Sequence, residues 1–194
     1  MPARLNIPNT LTWIRIVLIP LIVLAFYLPH YWDAVPAAWA GPSAAIIFSL
    51  AGITDWLDGY FARKLNQSSA FGAFLDPVAD KLMISTALVL LVSSNPGFVV
   101  AIPAAVIIGR EIAVSALREW MSELGGRHHV SVSGIGKYKT TAQITALIMM
   151  LWEHDLWFIP MYGIGYAFLL AAAVLTLWSM WKYLIAAWPH LRGH

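Results

Sequence analysis

Six long apolar runs divide the chain, at about residues 11–29, 42–63, 72–94, 97–120, 136–152 and 160–186. A helix that crosses a bilayer needs about 20 mainly apolar residues, so each run predicts a transmembrane helix. The fifth, GKYKTTAQITALIMMLW, is short. Brief connections carrying turn formers separate the runs: HYWDAVPAAWAGP, NQSSAFG, SSNPG, ELGGRHHVSVSG and EHDLWFIP. No small-residue cleavage site follows a short apolar core near the start, so the first run is read as a retained helix and not as a removed signal. No internal repeat or low-complexity tract is present. The expectation is one all-α integral membrane domain over residues 1–194, with six transmembrane helices behind a short N-terminal interfacial segment.

Composition strengthens that expectation. The chain is 60% hydrophobic and 11% charged, with a mean hydropathy of +0.71, whereas a soluble domain carries about 25% charged residues. A net charge of +2 is too small to suggest a nucleic-acid partner. The absence of cysteine excludes disulfides and thiolate chemistry. The basic residues sit in particular places. Arg4 and Arg15 stand at the start, Arg63 and Lys64 after the second run, Arg118, Arg127, Lys137 and Lys139 around the fourth connection, and Lys182 and Arg192 at the end. Segments 30–41, 93–97 and 153–159 hold no Lys or Arg, and Trp32, Trp39, Trp152 and Trp157 gather on that other side. The positive-inside rule and the aromatic belt then predict both termini in the cytoplasm of a cell (inner) membrane.

Four aspartates interrupt this apolar text, at the cytoplasmic ends of the second and third helices. Asp55 and Asp58 are three apart, Asp76 and Asp80 four apart, so each pair shares one helical face. Two such helices joined by a short turn can aim all four carboxylates at one another. A charge within a span costs about 2.5–3.5 kcal/mol on insertion scales, and converging carboxylates repel. A divalent cation or two answers both problems, and hard oxygen ligands suit Mg²⁺ or Mn²⁺. Gly59 and Ala62 leave room beside Asp58 for a ligand, and Arg63 stands one turn on, where a guanidinium can hold a phosphate. Metal and arginine together make a pyrophosphate-binding set, and a two-metal centre suits in-line phosphoryl transfer.

The pattern Asp55-x2-Asp58-Gly59-x2-Ala62-Arg63-x8-Gly72-x3-Asp76-x3-Asp80 resembles, at all eight fixed positions, the signature of the CDP-alcohol phosphotransferases. That resemblance implies a six-helix membrane enzyme that moves a phosphatidyl or similar group from a CDP-linked donor to an alcohol and releases CMP. It implies Asp55, Asp58 and Asp76 as ligands of two metal ions, and Asp80 as both ligand and general base. It implies Gly59, Ala62, Arg63 and Gly72 as the lining of the CDP site, with Arg63 at the pyrophosphate, and it implies a homodimer. The stretches NIPNTLTWIRIVLIP, FGAFLDPVADKL, REIAVSALREWMSELG and GKYKTTAQ are similar to those family members whose donor is CDP-diacylglycerol and whose acceptor is sn-glycerol 3-phosphate.

A phosphorylated acceptor needs a second cationic site. Arg110 lies within the fourth run, with Arg118 two turns on, and Lys137 and Lys139 open the fifth. These four are the expected acceptor-phosphate site. The alternative for Arg110 is a buried structural pair with Glu111. Arg15 either snorkels or, with Asn6 and Thr10, reaches the active site. Lys81 is expected to snorkel or to pair with a carboxylate. The rival functions are a sibling transferase using inositol phosphate or serine, and a divalent-cation transporter. A transport path should carry acidic residues through the outer halves of the spans, and they have none.

Overall fold

The computed structural model describes residues 7–65, 70–123 and 135–191. Their helices are α1 (Ile7–Tyr31), α2 (Ala40–Leu65), α3 (Ala70–Ser94), α4 (Phe98–Glu123), α5 (Ile135–Trp152) and α6 (Met161–Leu191), with a short 3₁₀ turn, Ala37–Trp39, leading into α2. The described residues are thus all-helical, and each helix falls on one of the six apolar runs. The N-terminal interfacial segment lies outside the described residues. α1 begins at Ile7 and α6 runs on to Leu191, both beyond the apolar core of their runs.

Four segments are long and apolar enough to cross a membrane: Asn9–Tyr31, Ala37–Phe61, Phe98–Met121 and Met161–Ile185. The chain is therefore a multi-pass membrane protein. The other two long helices, α3 and α5, carry polar residues of the site. α3 holds Asp76, Asp80 and Lys81, and α5 holds Lys137, Lys139 and Gln143. Pro77 lies inside α3, two turns from its start, so the proline is accommodated within the helix.

α1 packs on α2 and α3, α5 on α6 and α2, and α4 on α6. Their shared core includes Ile22, Phe26, Phe48, Leu88, Leu91, Ile107, Leu147 and Met150, interleaved with Ala44, Ala45, Ala51, Ala87 and Ala146. Small residues let helices approach closely where lipid offers no hydrophobic drive for association. Leu24, Val89, Ile102 and Val174 point outward, as lipid-facing residues do. Hydroxyls inside the apolar body donate back to their own helix, as Ser49 Oγ does to the Ala45 carbonyl at 2.7 Å.

Gly165 lets α6 approach α5 closely. A Cβ at Gly165 would stand 2.8 Å from Met150 Cγ, 3.0 Å from Met149 Cβ and 3.1 Å from the Ala146 carbonyl oxygen. Gly163, one turn-half away, has nothing within 4 Å. Gly165→Val should therefore lower the thermal midpoint in detergent, by an overpacking cost of about 1–3 kcal/mol. Gly163→Ala, measured beside it, should not.

Candidate active site

Side-chain contacts bring polar residues of all six helices together at one end of the bundle. The start of α1, the end of α2 and the start of α3 form one half of that end. The end of α4, the start of α5 and the end of α6 form the other.

The first half is built around Arg15, which is completely buried. Its Nη2 reaches Asp55 Oδ1 at 2.9 Å and also pairs with Asp58 Oδ2. Its Nη1 donates to Asp80 Oδ1 at 2.7 Å. One guanidinium thus gathers carboxylates from α2 and α3. Asp76 joins through α1 as well, because Thr12 Oγ1 donates to its Oδ1 at 2.5 Å. Thr12 and Arg15 are three apart and share a face of α1. The four aspartates are not equally enclosed. The Asp58 side chain is 6% exposed, whereas those of Asp55 and Asp80 are 44% and 42% exposed. Asp58 forms the floor and Asp55 and Asp80 face the opening.

These residues fit a hard divalent cation by their chemistry: four carboxylates with one guanidinium between them leave a surplus of negative charge. Among the described residues, no three acidic or histidine side chains form a ready metal cage as they stand; the Arg15 fork ties three of the carboxylates instead. Gly59 is partly buried beside Asp58, and Gly72 is buried one turn before Asp76. The side chains of Ala62 and Arg63 lie outside the described residues.

The second half is cationic. Arg110 is 9% exposed; its Nη1 donates to Glu111 Oε1 at 2.7 Å and its Nη2 to Ser179 Oγ of α6 at 2.7 Å. Lys139 Nζ donates to the same Glu111 oxygen at 2.7 Å. Arg118 is exposed at the rim, donates to Tyr183 Oη at 2.5 Å and lies over that ring. Arg110 and Lys139 meet on Glu111 Oε1, and Arg110 and Arg118 reach Ser179 and Tyr183, one turn apart on α6, so three of the four expected acceptor residues share one region. The Lys137 side chain lies outside the described residues. Arg110 does pair with Glu111, and Glu111 is also shared with α5.

Lys81 couples the two halves. Its Nζ donates to Ser115 Oγ of α4 at 2.5 Å, and among the described residues it forms no ion pair with a carboxylate. Ser115 donates in turn to the Glu111 carbonyl at 2.6 Å. Sequence reasoning missed Thr12, Ser179 and Tyr183. The last two had a signal: Thr176, Ser179 and Tyr183 recur at helical spacing as a polar stripe in an otherwise greasy helix.

A family model described as CDP-alcohol phosphatidyltransferase matches residues 5–178. The chain belongs to the CDP-alcohol phosphatidyltransferase family. Its relatives include the CDP-diacylglycerol–glycerol-3-phosphate 3-phosphatidyltransferase of Sodalis glossinidius, 52% identical over 191 residues, which are 98% of this chain and 100% of that one. Proteins of the same name from Shigella flexneri and Salmonella typhi are each 52% identical over 184 residues, 95% of this chain and 96% of theirs. The part of the chain that matches the CDP-alcohol phosphatidyltransferase model takes in α1 to α5 and every aspartate of the site.

Proposed function

We propose that this membrane transferase moves the phosphatidyl group of CDP-diacylglycerol to sn-glycerol 3-phosphate, giving phosphatidylglycerophosphate and CMP. The near-full-length likeness to relatives of that name supports the substrates. The observation that carries the chemistry is the convergence of Asp55, Asp58 and Asp80 from two helices on one guanidinium, with Asp80 open to the surface of the site.

In this reading Asp55, Asp58, Asp76 and Asp80 would hold Mg²⁺ or Mn²⁺, two ions by family resemblance. The metal would supply charge neutralisation at the donor's pyrophosphate and at the departing CMP. Asp80 takes the proton from the acceptor's 1-hydroxyl. That oxygen forms its bond to the β-phosphorus as the bond to the bridging oxygen breaks, and CMP leaves. Arg63, with Gly59, Ala62 and Gly72, lines the CDP site. Arg110, Arg118, Lys137 and Lys139 orient the acceptor through its phosphate, which fixes the hydroxyl for attack. All six helices span the membrane as a single domain, both termini and the site face the cytoplasm, and the enzyme works as a homodimer. The donor's acyl chains then stay in the inner leaflet while glycerol 3-phosphate arrives from the cytosol.

The test is CMP release by purified protein from CDP-diacylglycerol with Mg²⁺, supplied in turn with glycerol 3-phosphate, inositol 1-phosphate, serine or no acceptor. Release with glycerol 3-phosphate alone, abolished by EDTA and restored by Mg²⁺, is expected. Release only with another acceptor would overturn the substrate. In the same assay Arg110→Gln should raise KM for glycerol 3-phosphate about 10- to 100-fold, the worth of one hydrogen bond to a charged group. KM for CDP-diacylglycerol should not move. An unchanged acceptor KM would remove Arg110 from the acceptor site and leave it a structural partner of Glu111.

A further inference from the structure

We infer that Arg15 is a built-in counter-cation of the carboxylate site: it holds the aspartates together before a divalent cation binds and must give way when one does. The inference rests on the metal-binding role proposed above for the aspartates.

Three observations lead to it. Arg15 is completely buried near the start of a membrane helix, a place where a cation is expensive unless it is paired. Its two terminal nitrogens are spent on three carboxylates from two other helices. Its Nε makes no hydrogen bond among the described residues. A guanidinium serving only the packing of α1 needs one partner; this one sits where Asp55, Asp58 and Asp80 converge. Those are carboxylates that would hold the ion. Thr12 ties Asp76 to the same face of α1.

The consequence is a competition. If the guanidinium is seated in most molecules, only the remaining fraction can accept metal, and the apparent Kd is the intrinsic Kd divided by that fraction. With the open state populated at about 10%, removing the guanidinium should tighten binding about tenfold. A purely structural role predicts the opposite sign, because ligands that lose their organiser scatter and bind metal less well. Arg15 is thus a positioning residue whose grip sets the metal affinity, and α1, which supplies no carboxylate to the site, is part of its metal chemistry.

The experiment measures Mn²⁺ binding to the full-length protein in detergent, without substrates, by isothermal titration. Thermal midpoints are taken in EDTA and in saturating Mn²⁺. Wild type, Arg15→Gln and Arg15→Lys are compared. Arg15→Gln should bind Mn²⁺ about tenfold more tightly, melt earlier than wild type in EDTA, and recover most of that loss in Mn²⁺. Arg15→Lys keeps the charge and loses the two-pronged fork, so its Kd should fall between the other two.

Weaker or unchanged binding in Arg15→Gln overturns the inference. So does an Arg15→Lys Kd equal to that of wild type, which would mean that charge repulsion alone acts and the seated fork does not. If Arg15→Gln folds only with Mn²⁺ present, the inference is supported. If it folds in neither condition, the Arg15→Lys Kd decides. A wild-type protein that binds no Mn²⁺ would instead sink the metal role of the aspartates.

Discussion

Asp80→Asn should cut CMP release about 10²- to 10⁴-fold, the range that a positioned general base contributes. Asparagine has nearly the same shape and keeps an oxygen that can accept from Arg15 Nη1, which now lies 2.7 Å from Asp80 Oδ1. It cannot take a proton. The Asp80 side chain is 42% exposed, so losing one charge there costs the fold little, and the thermal midpoint should stay close to that of wild type. Asp80 is also proposed as a metal ligand, and a Mg²⁺ titration separates the two roles. A weakened ligand is compensated by more metal, whereas a missing base is not. Activity restored at high Mg²⁺ would leave Asp80 as a ligand and return the base to be found elsewhere.

Asp58→Ala should lose both stability and activity. Its carboxylate is 6% exposed and pairs with a guanidinium that is 0% exposed. Breaking such a buried pair from one side costs about 3–5 kcal/mol, because the remaining charge stays enclosed. Asp55 and Asp80 still hold Arg15, so the loss should fall toward the lower end. Pairing the change with Arg15→Met removes the enclosed charge. The double variant should then lose less stability than the two single variants together, the mark of two residues in direct contact. CMP release should stay absent in Asp58→Ala and in the double variant, because neither retains the ligand. Thermal unfolding in detergent and the CMP assay read the two effects separately. Additive stability losses would mean that the Arg15–Asp58 contact contributes nothing to the fold.

The aspartate site was legible because two periodicities coincide there. Spacings of three and four put Asp55 with Asp58, and Asp76 with Asp80, on common helix faces, and the apolar runs around them made each charge conspicuous. The cations in the α4 and α5 runs were visible for the same reason. Their partners were less so. Arg110 and Glu111 are neighbours in sequence, and a pair between them is visible there. Lys139 meets the same Glu111 oxygen from 28 positions away, and nothing local points to it. Lys81 shows the opposite failure: with carboxylates nearby in sequence, it turns to Ser115 on α4. The side chain faces the neighbouring helix, and facing is set by how α3 and α4 are rotated.

By itself the sequence determined the number and extent of the helices, the helical faces that carry charge, and the chemistry those charges suit. These are short-range properties, written in the length of apolar runs and in spacings of three and four. The tertiary structure decided that α1 enters the site. Thr12 is 64 residues from Asp76, and Arg15 is 43 from Asp58 and 65 from Asp80, and a charged residue near the start of a membrane helix reads equally well as one that snorkels. Only the packing of α1 against α2 and α3 makes Arg15 the residue on which the carboxylates converge.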